Sequence, residues 1–169
     1  MAFNYRRLTP KDAELVLSLY WAVAKGPRSG LSRTQDEITL AYVESWLGRA
    51  HADGLALGAF SDGMLCGEIH AIRPGAKQFA HVLGELTVAV HPASQGQGVG
   101  GQLFGALFTE AAALTPGIQR IELIARSGNT GAIRMYERLG FVPEGRFTGR
   151  VLLADGTRED DIPMARALG

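Results

Sequence analysis

A single cysteine stands among 169 residues, Cys66, so no internal disulfide braces the chain, and such sparing use of cysteine suits a reducing compartment. Neither sign of charge is in surplus. Seventeen Lys and Arg balance seventeen Asp and Glu, which removes the bulk attraction that non-specific nucleic-acid binding depends on. DNA and RNA are therefore not expected partners. No apolar run approaches the roughly 20 residues of a membrane-spanning helix. The opening Met1-Ala2-Phe3-Asn4-Tyr5-Arg6-Arg7 also lacks the apolar stretch of a signal peptide. The expectation is a cytoplasmic protein without a membrane partner. Four histidines, His51, His70, His81 and His91, form no i,i+4 histidine pair, so no metal site is expected. No repeat, low-complexity tract or linker divides the sequence, which points to one domain over residues 1–169.

What is present is a chain 46% hydrophobic, long enough to bury roughly 70% of its extended surface. Phe3 to Leu8 reads as a strand. Thr9-Pro10-Lys11-Asp12 then supplies an N-cap, a proline at the first helical position and an acid at the third. That start predicts a helix to about Ala24, with Leu15, Leu19, Ala22 and Val23 at helical spacing, broken by Lys25 to Arg33. Thr34-Gln35-Asp36-Glu37 is a second capping box and predicts a helix through Ile38, Tyr42 and Trp46 towards Arg49. Gly54 to Phe60 and Met64 to Ile72 read as a hairpin turning at Asp62-Gly63. Cys66 lies in that apolar pattern and reads as a core thiol. His81 to Val90 is the next strand, followed by a helix from Gly98 to Leu114, a strand from Ile118 to Ala125 and a helix from Thr130 to Leu139. A strand from Phe141 to Leu153 and a hairpin through Ala154-Asp155-Gly156-Thr157 complete the order, ending near Ala165.

Chemistry concentrates in His91-Pro92-Ala93-Ser94-Gln95-Gly96-Gln97-Gly98-Val99-Gly100-Gly101, between a strand and a helix. Amides at a helix start have no intrahelical partner, glycines let backbone approach a ligand, and the helix field adds about 0.3–1 kcal/mol for a neighbouring anion. A phosphate cradle follows. Gly96-Gln97-Gly98-Val99-Gly100-Gly101 matches the G-x-G-x-x-G of dinucleotide folds, with Glu122 about twenty residues beyond. The context disagrees, because His91 to Gln95 intervene after the strand and too little chain remains for two nucleotide-binding halves. A merely flexible loop would not need four glycines, and no Lys-Ser or Lys-Thr completes a Walker loop.

Gln95-x-x-Gly98-x-Gly100, with Pro92 three residues upstream of Gln95, resembles the [Q/R]-x-x-G-x-[G/A] signature of the GNAT superfamily of N-acetyltransferases. A second segment agrees. Asn129-Thr130-Gly131-Ala132-Ile133-Arg134-Met135-Tyr136-Glu137-Arg138-Leu139-Gly140-Phe141 is similar to the family's N-x-x-A-x-x-x-Y-x-x-x-G-F. Without the family, Asn129 is an N-cap, Ala132, Ile133, Tyr136 and Leu139 mark a buried face, and Gly140 ends the helix. The resemblance implies more. Acetyl-CoA would be the cosubstrate, its pyrophosphate held by the backbone of Gln95, Gly96, Gln97, Gly98, Val99, Gly100 and Gly101. Its pantetheine arm would lie along the main chain of Val88, Ala89 and Val90, with Asn129 nearby. Tyr136 would protonate the leaving thiolate.

The same resemblance implies an α/β fold: a mixed, mostly antiparallel twisted sheet of about seven strands, splayed between the fourth and fifth, with about four flanking helices. Glu85 is the candidate base, direct or through water, with Glu122 second. Counted back from Pro92, Glu85 sits one residue later than the commonest family spacing, where this chain has Gly84; a one-residue shift reverses the face, and a β-bulge would restore it. His70 and His81 remain candidate proton carriers or structural residues. The acceptor pocket would come from Lys25 to Arg33 and Phe147 to Arg158. Glu159, Asp160 and Asp161 read either as an attraction for a cationic amine or as a solvated strand end. The acceptor is expected to be a small amine or amino-acid-like molecule rather than protein, and a homodimer is compatible. The other class of answer is a sensor or interaction module that binds acetyl-CoA without turnover.

Overall fold

Positive φ at both Asp62 (50°) and Gly63 (80°) closes a type I′ turn, whose twist matches the strands on either side. It joins β2 (Gly54–Ser61) to β3 (Met64–Ile72) in a computed structural model that describes residues 2–26 and 29–169. β1 (Asn4–Arg7) pairs with the outer side of β2, and β4 (Val82–Val90) with β3, all antiparallel. β5 (Arg120–Arg126) meets β4 in the sheet's sole parallel pairing among the described residues, and β8 (Arg158–Ala167) follows on its far side. β6 (Val142–Pro143) and β7 (Phe147–Leu152) lie one after the other along the outer edge of β8. The eight strands make one mixed, mostly antiparallel sheet.

Four α-helices among the described residues cover it. α1 (Ala13–Ala24) and α2 (Leu40–Asp53) bury Val16, Leu19, Tyr20, Val43 and Leu47 against Ala56, Leu65, Ile72 and Ala89 on one face. α3 (Val99–Ala112) and α4 (Thr130–Arg138) bury Leu103, Phe104, Leu107 and Tyr136 against Leu57, Ile69, Leu83 and Ile121 on the other. Each large aliphatic or aromatic side chain removed from water this way contributes roughly 1.5–3 kcal/mol. No described helix is long and apolar enough to cross a membrane.

Three local expectations shift. The Thr34 capping box forms, but it caps only a 3-10 turn, Gln35–Glu37. Ile38 is then extended (φ −87°, ψ 92°), placing its side chain in the core and its carbonyl under the Trp21 indole N–H at 2.9 Å. The helix restarts at Leu40 with Thr39 as the cap, whose Oγ1 accepts from Tyr42 N at 3.1 Å. Second, the expected strand from Phe141 to Leu153 divides into β6 and β7, giving eight strands instead of about seven. The cause is Pro163. Its carbonyl accepts from Glu144 N on the outer edge of β8, and the missing N–H falls on that same edge, so the partner strand cannot run through. Third, β5 begins at Arg120, two residues later than expected. Of the Lys25 to Arg33 loop, Pro27 and Arg28 lie outside the described residues.

The entry to α1 depends on Asp12, only 7% exposed. Its carboxylate accepts from Thr9 N (2.8 Å), Thr9 Oγ1 (3.1 Å) and the Arg6 guanidinium (2.7 Å), and Arg6 first, then Thr9, lowers its pKa to about 2 against the opposing effect of burial. Asp12→Ala is expected to cost about 1–3 kcal/mol in urea denaturation, since it strands both Thr9 donors and the Arg6 guanidinium. A depressed carboxylate stabilises above its unfolded value of 3.8, and that contribution disappears as pH falls through about 2. Asp12→Asn should therefore flatten the acid limb of stability between those values.

Candidate functional site

β4 carries one residue too many for its partner. His70 pairs with Thr87, but Ile72 pairs with Gly84, so a bulge spans Glu85 and Leu86. Glu85 takes a φ of 49°, a left-handed conformation that costs a non-glycine residue of the order of 1–3 kcal/mol. Because of the bulge, Leu83 and Leu86 both pack towards α3 and α4, while Glu85 turns to the α1 and α2 side.

The bulge also ends the parallel pairing. β4 meets β5 only at Val82 with Arg120 and Leu83 with Ile121, and beyond Leu83 the two strands part. The edges of Val88, Ala89 and Val90 on one side and Leu123 to Arg126 on the other border a cleft of about 1480 Å³. That volume exceeds the roughly 300–1,000 Å³ of a pocket for a single small ligand. Val88 and Val90 send half-buried side chains into the α3 and α4 core, and Ala89 is buried on the opposite face, so only their main chain faces the slot.

At the end of β4 the glycine-rich turn is fixed by its own glutamines. Gln95 Nε2 donates to Val90 O (3.2 Å) and Gln97 Nε2 to Ala93 O (3.0 Å). Gly96 and Gly98 have φ of 75° and 81°, and Gly98 is the N-cap of α3. The first α3 amide to find a backbone acceptor is Gln102 N, bonded to Gly98 O at 3.1 Å. The amides from Gly96 to Gly101, that of buried Val99 included, make no backbone hydrogen bond among the described residues. A Cβ added to Gly96 or Gly101 would meet nothing within 4 Å, and one on Gly100 would approach Met135 Sδ at 3.6 Å. Unpaired amides beside open space fit a pyrophosphate group, so acetyl-CoA is compatible with the residues present.

α4 lines the same cleft. Asn129 Oδ1 accepts from Ala132 N at 3.2 Å, which confirms the cap, and the residue borders the cleft with no partner for its side-chain nitrogen among the described residues. Tyr136 is 9% exposed and held edge-on by Phe104 and Phe141, with ring centroids 5.7 and 6.1 Å away. Its hydroxyl has no partner among the described residues, and burial pushes its pKa up to about 12.

On the opposite face, Glu85 is clamped by Arg49 of α2 through two bonds of 2.8 and 3.1 Å, which lower its pKa; His70 adds to the lowering. Glu122 is bonded instead to Arg120 at 2.6 Å, and Arg120 also holds Glu144. Of the acidic trio, only Asp161 borders the cleft, 3.5 Å from Arg150, while Asp160 is occupied by Arg146 and by Gly149 N at 2.7 Å. His70 lines the cleft and His81 does not. Sequence reasoning missed Tyr20, Trp46, Arg49 and Glu68, which stand around His70 and Glu85. The available signal was Glu68-Ile69-His70, two polar residues two apart in an apolar strand.

Comparison by sequence with curated proteins gives no match. Among solved structures, a GNAT-family acetyltransferase from Streptococcus pneumoniae superposes with a TM-score of 0.87 at 22% identity, covering 99% of this chain and 100% of that one. A GNAT superfamily phosphinothricin acetyltransferase from Sinorhizobium meliloti, in complex with acetyl-CoA, gives 0.86 at 17%, covering 100% and 90%. A ribosomal-protein-alanine N-acetyltransferase from Brucella melitensis gives 0.82 at 22%, covering 98% and 99%. These likenesses establish the fold. The family model described as Acetyltransferase (GNAT) family matches residues 17–141, from the middle of α1 through both motifs, and the chain belongs to that family.

Proposed function

We propose that this protein transfers the acetyl group of acetyl-CoA to the primary amine of a small, amino-acid-like molecule by direct attack in a ternary complex. The observation that carries this reading is the convergence on one slot of a bare-amide cradle, an unpaired strand edge and a phenol without a partner. The turn from Gln95 to Gly101 holds the pyrophosphate, and the Val88 and Val90 main chain pairs with the pantetheine arm as a missing strand would. Acetyl-CoA supplies the activated acyl group. The main-chain amides of β4 face the thioester carbonyl and stabilise its developing oxyanion.

Tyr136 donates to the sulfur as the C–S bond breaks. A pKa of about 12 keeps it protonated throughout the working range. A thiolate leaving into the same apolar surroundings is itself made more basic by burial, which narrows the mismatch between donor and acceptor. Glu85, held ionised by Arg49, draws the acceptor's ammonium to the α1 and α2 side. Charge of both signs borders that side, Glu85 and Asp161 with Arg33 and Arg150, which suits an acceptor bearing ammonium and carboxylate groups. The phosphinothricin enzyme among the structural neighbours is named for a small acceptor and the ribosomal-protein-alanine enzyme for a protein. The acceptor is therefore tested directly.

Isothermal titration with acetyl-CoA should give saturable binding. Gly101→Glu should weaken it by at least about 100-fold without unfolding the chain, because the new side chain enters the open cradle and places an anion among the amides. Thiol release is then screened against amino acids, phosphinothricin and an alanine-initiated peptide. Turnover of the small amines is expected; turnover of the peptide alone would contradict the acceptor class.

Tyr136→Phe should lower kcat by about 100-fold while leaving acetyl-CoA affinity within about two-fold. Since the phenol ionises only near 12, the variant should keep the wild-type pH profile below pH 10. Full turnover by the variant with chemistry rate-limiting would remove Tyr136 from the mechanism.

A further inference from the structure

A buried polar cluster lies between α1, α2 and β3. Glu68 is 0% exposed and His70 4%, on a strand whose other inward residues are apolar. Tyr20 of α1 donates to Glu68 Oε1 at 2.5 Å, and His70 Nδ1 lies 3.2 Å from Glu68 Oε2. Burial, then the neighbouring carboxylate, raises the Tyr20 pKa well above that of a free phenol, so Tyr20 remains a donor. A fully buried carboxylate needs donors on both oxygens. Tyr20 serves one, and the Nδ1–H of His70 serves the other, which leaves Nε2 as a bare acceptor. The Trp46 ring lies on the imidazole with centroids 3.7 Å apart and planes 15° apart, fixing its orientation.

Nε2 has an opening. Among the described residues the one buried side-chain nitrogen or oxygen without a partner is Trp46 Nε1. His70 Nε2 also makes no hydrogen bond among the described residues yet is not a buried unpaired atom, so it is not occluded, and His70 borders the same cleft as Glu85. Around the imidazole stand Tyr20 from α1, Trp46 and Arg49 from α2, Glu68 beside it on β3, and Thr87 and Glu85 from β4. Glu85, its acidity increased by Arg49, is several units too weak a base for an alkylammonium that titrates near 10. An imidazole, titrating near 6.5 in water, is better matched to working pH.

We propose that His70 Nε2 is the base that deprotonates the acceptor ammonium, with Glu68 and Tyr20 as its positioning residues. The inference rests on the acetyl-transfer reading. R–NH₃⁺ gives one proton to Nε2, becoming R–NH₂ beside an imidazolium, which later releases that proton to solvent. The nitrogen lone pair forms the N–C bond as the C=O π pair moves to oxygen. On collapse the C–S pair leaves with sulfur, which takes a proton from Tyr136. The second proton lost by nitrogen restores the phenol. Amide, free thiol and one released proton balance the step.

Two measurements test it. In protein labelled with ¹⁵N at histidine, with the His70 signal identified by its loss in His70→Gln, the wild type should show the Nδ1–H tautomer. Glu68→Gln should alter the tautomer balance. Second, kcat/KM is followed from pH 5.5 to 9.5 with the fastest amine of the thiol-release screen. His70→Gln should fall about 100-fold at pH 7, closing to under about 10-fold at pH 9.5 as free amine becomes available, with acetyl-CoA affinity unchanged. Glu68→Gln should displace the acidic limb. An Nε2–H tautomer in the wild type, or a His70→Gln variant within about three-fold at every pH, would overturn His70 and leave acetyl transfer standing. A wild type that binds no acetyl-CoA would overturn the transfer reading and this inference together.

Discussion

The site exists because two parallel strands stop pairing. β4 and β5 share only two residue pairs before they part, and the extra residue at Glu85 and Leu86 coincides with that parting. A sheet whose backbone groups lack a neighbouring strand presents a row of donors and acceptors that water or a ligand must satisfy. An extended amide-bearing chain such as pantetheine would satisfy them in strand fashion. The cost of a left-handed glutamate is met by its bidentate ion pair with Arg49 and by hydrophobic packing on both faces. Strain is thus held at the point where the two strands part.

The slot is lined from both faces of the sheet, so in the proposed reaction each face would carry a different part of the chemistry. Tyr136 stands on the α3 and α4 side in an aromatic nest that keeps it protonated. Glu85 and His70 stand on the α1 and α2 side, the latter fixed by Glu68, Tyr20 and Trp46. A thioester in the slot would have its leaving sulfur near the phenol and its carbonyl open to an amine from the other face.

Much of this was legible in the sequence, for reasons that differ between residues. The turn from Gln95 to Gly101 announces itself because what it offers is exposed backbone, and backbone access is written in glycines. Asn129 and Gly140 announce a short helix because caps are local. The Thr34 box misled for the same reason: the local signal was satisfied, but burial of Ile38 ended the turn at once. The strand break after Pro143 depended on Pro163 opposite it, twenty residues on. The cluster around Glu68 joins α1 to β3 across 48 residues, and no spacing rule connects them.

The central claim is that acetyl-CoA occupies the β4–β5 slot with its pyrophosphate on the α3 turn. An amide-resolved NMR titration of the wild-type chain with acetyl-CoA tests it most directly. The largest shift changes should fall on Gly96 to Gly101 and on Val88 and Val90, with slowed amide exchange along that edge of β4. Changes confined to the opposite edge of the sheet, or an unperturbed turn at saturating ligand, would contradict the account.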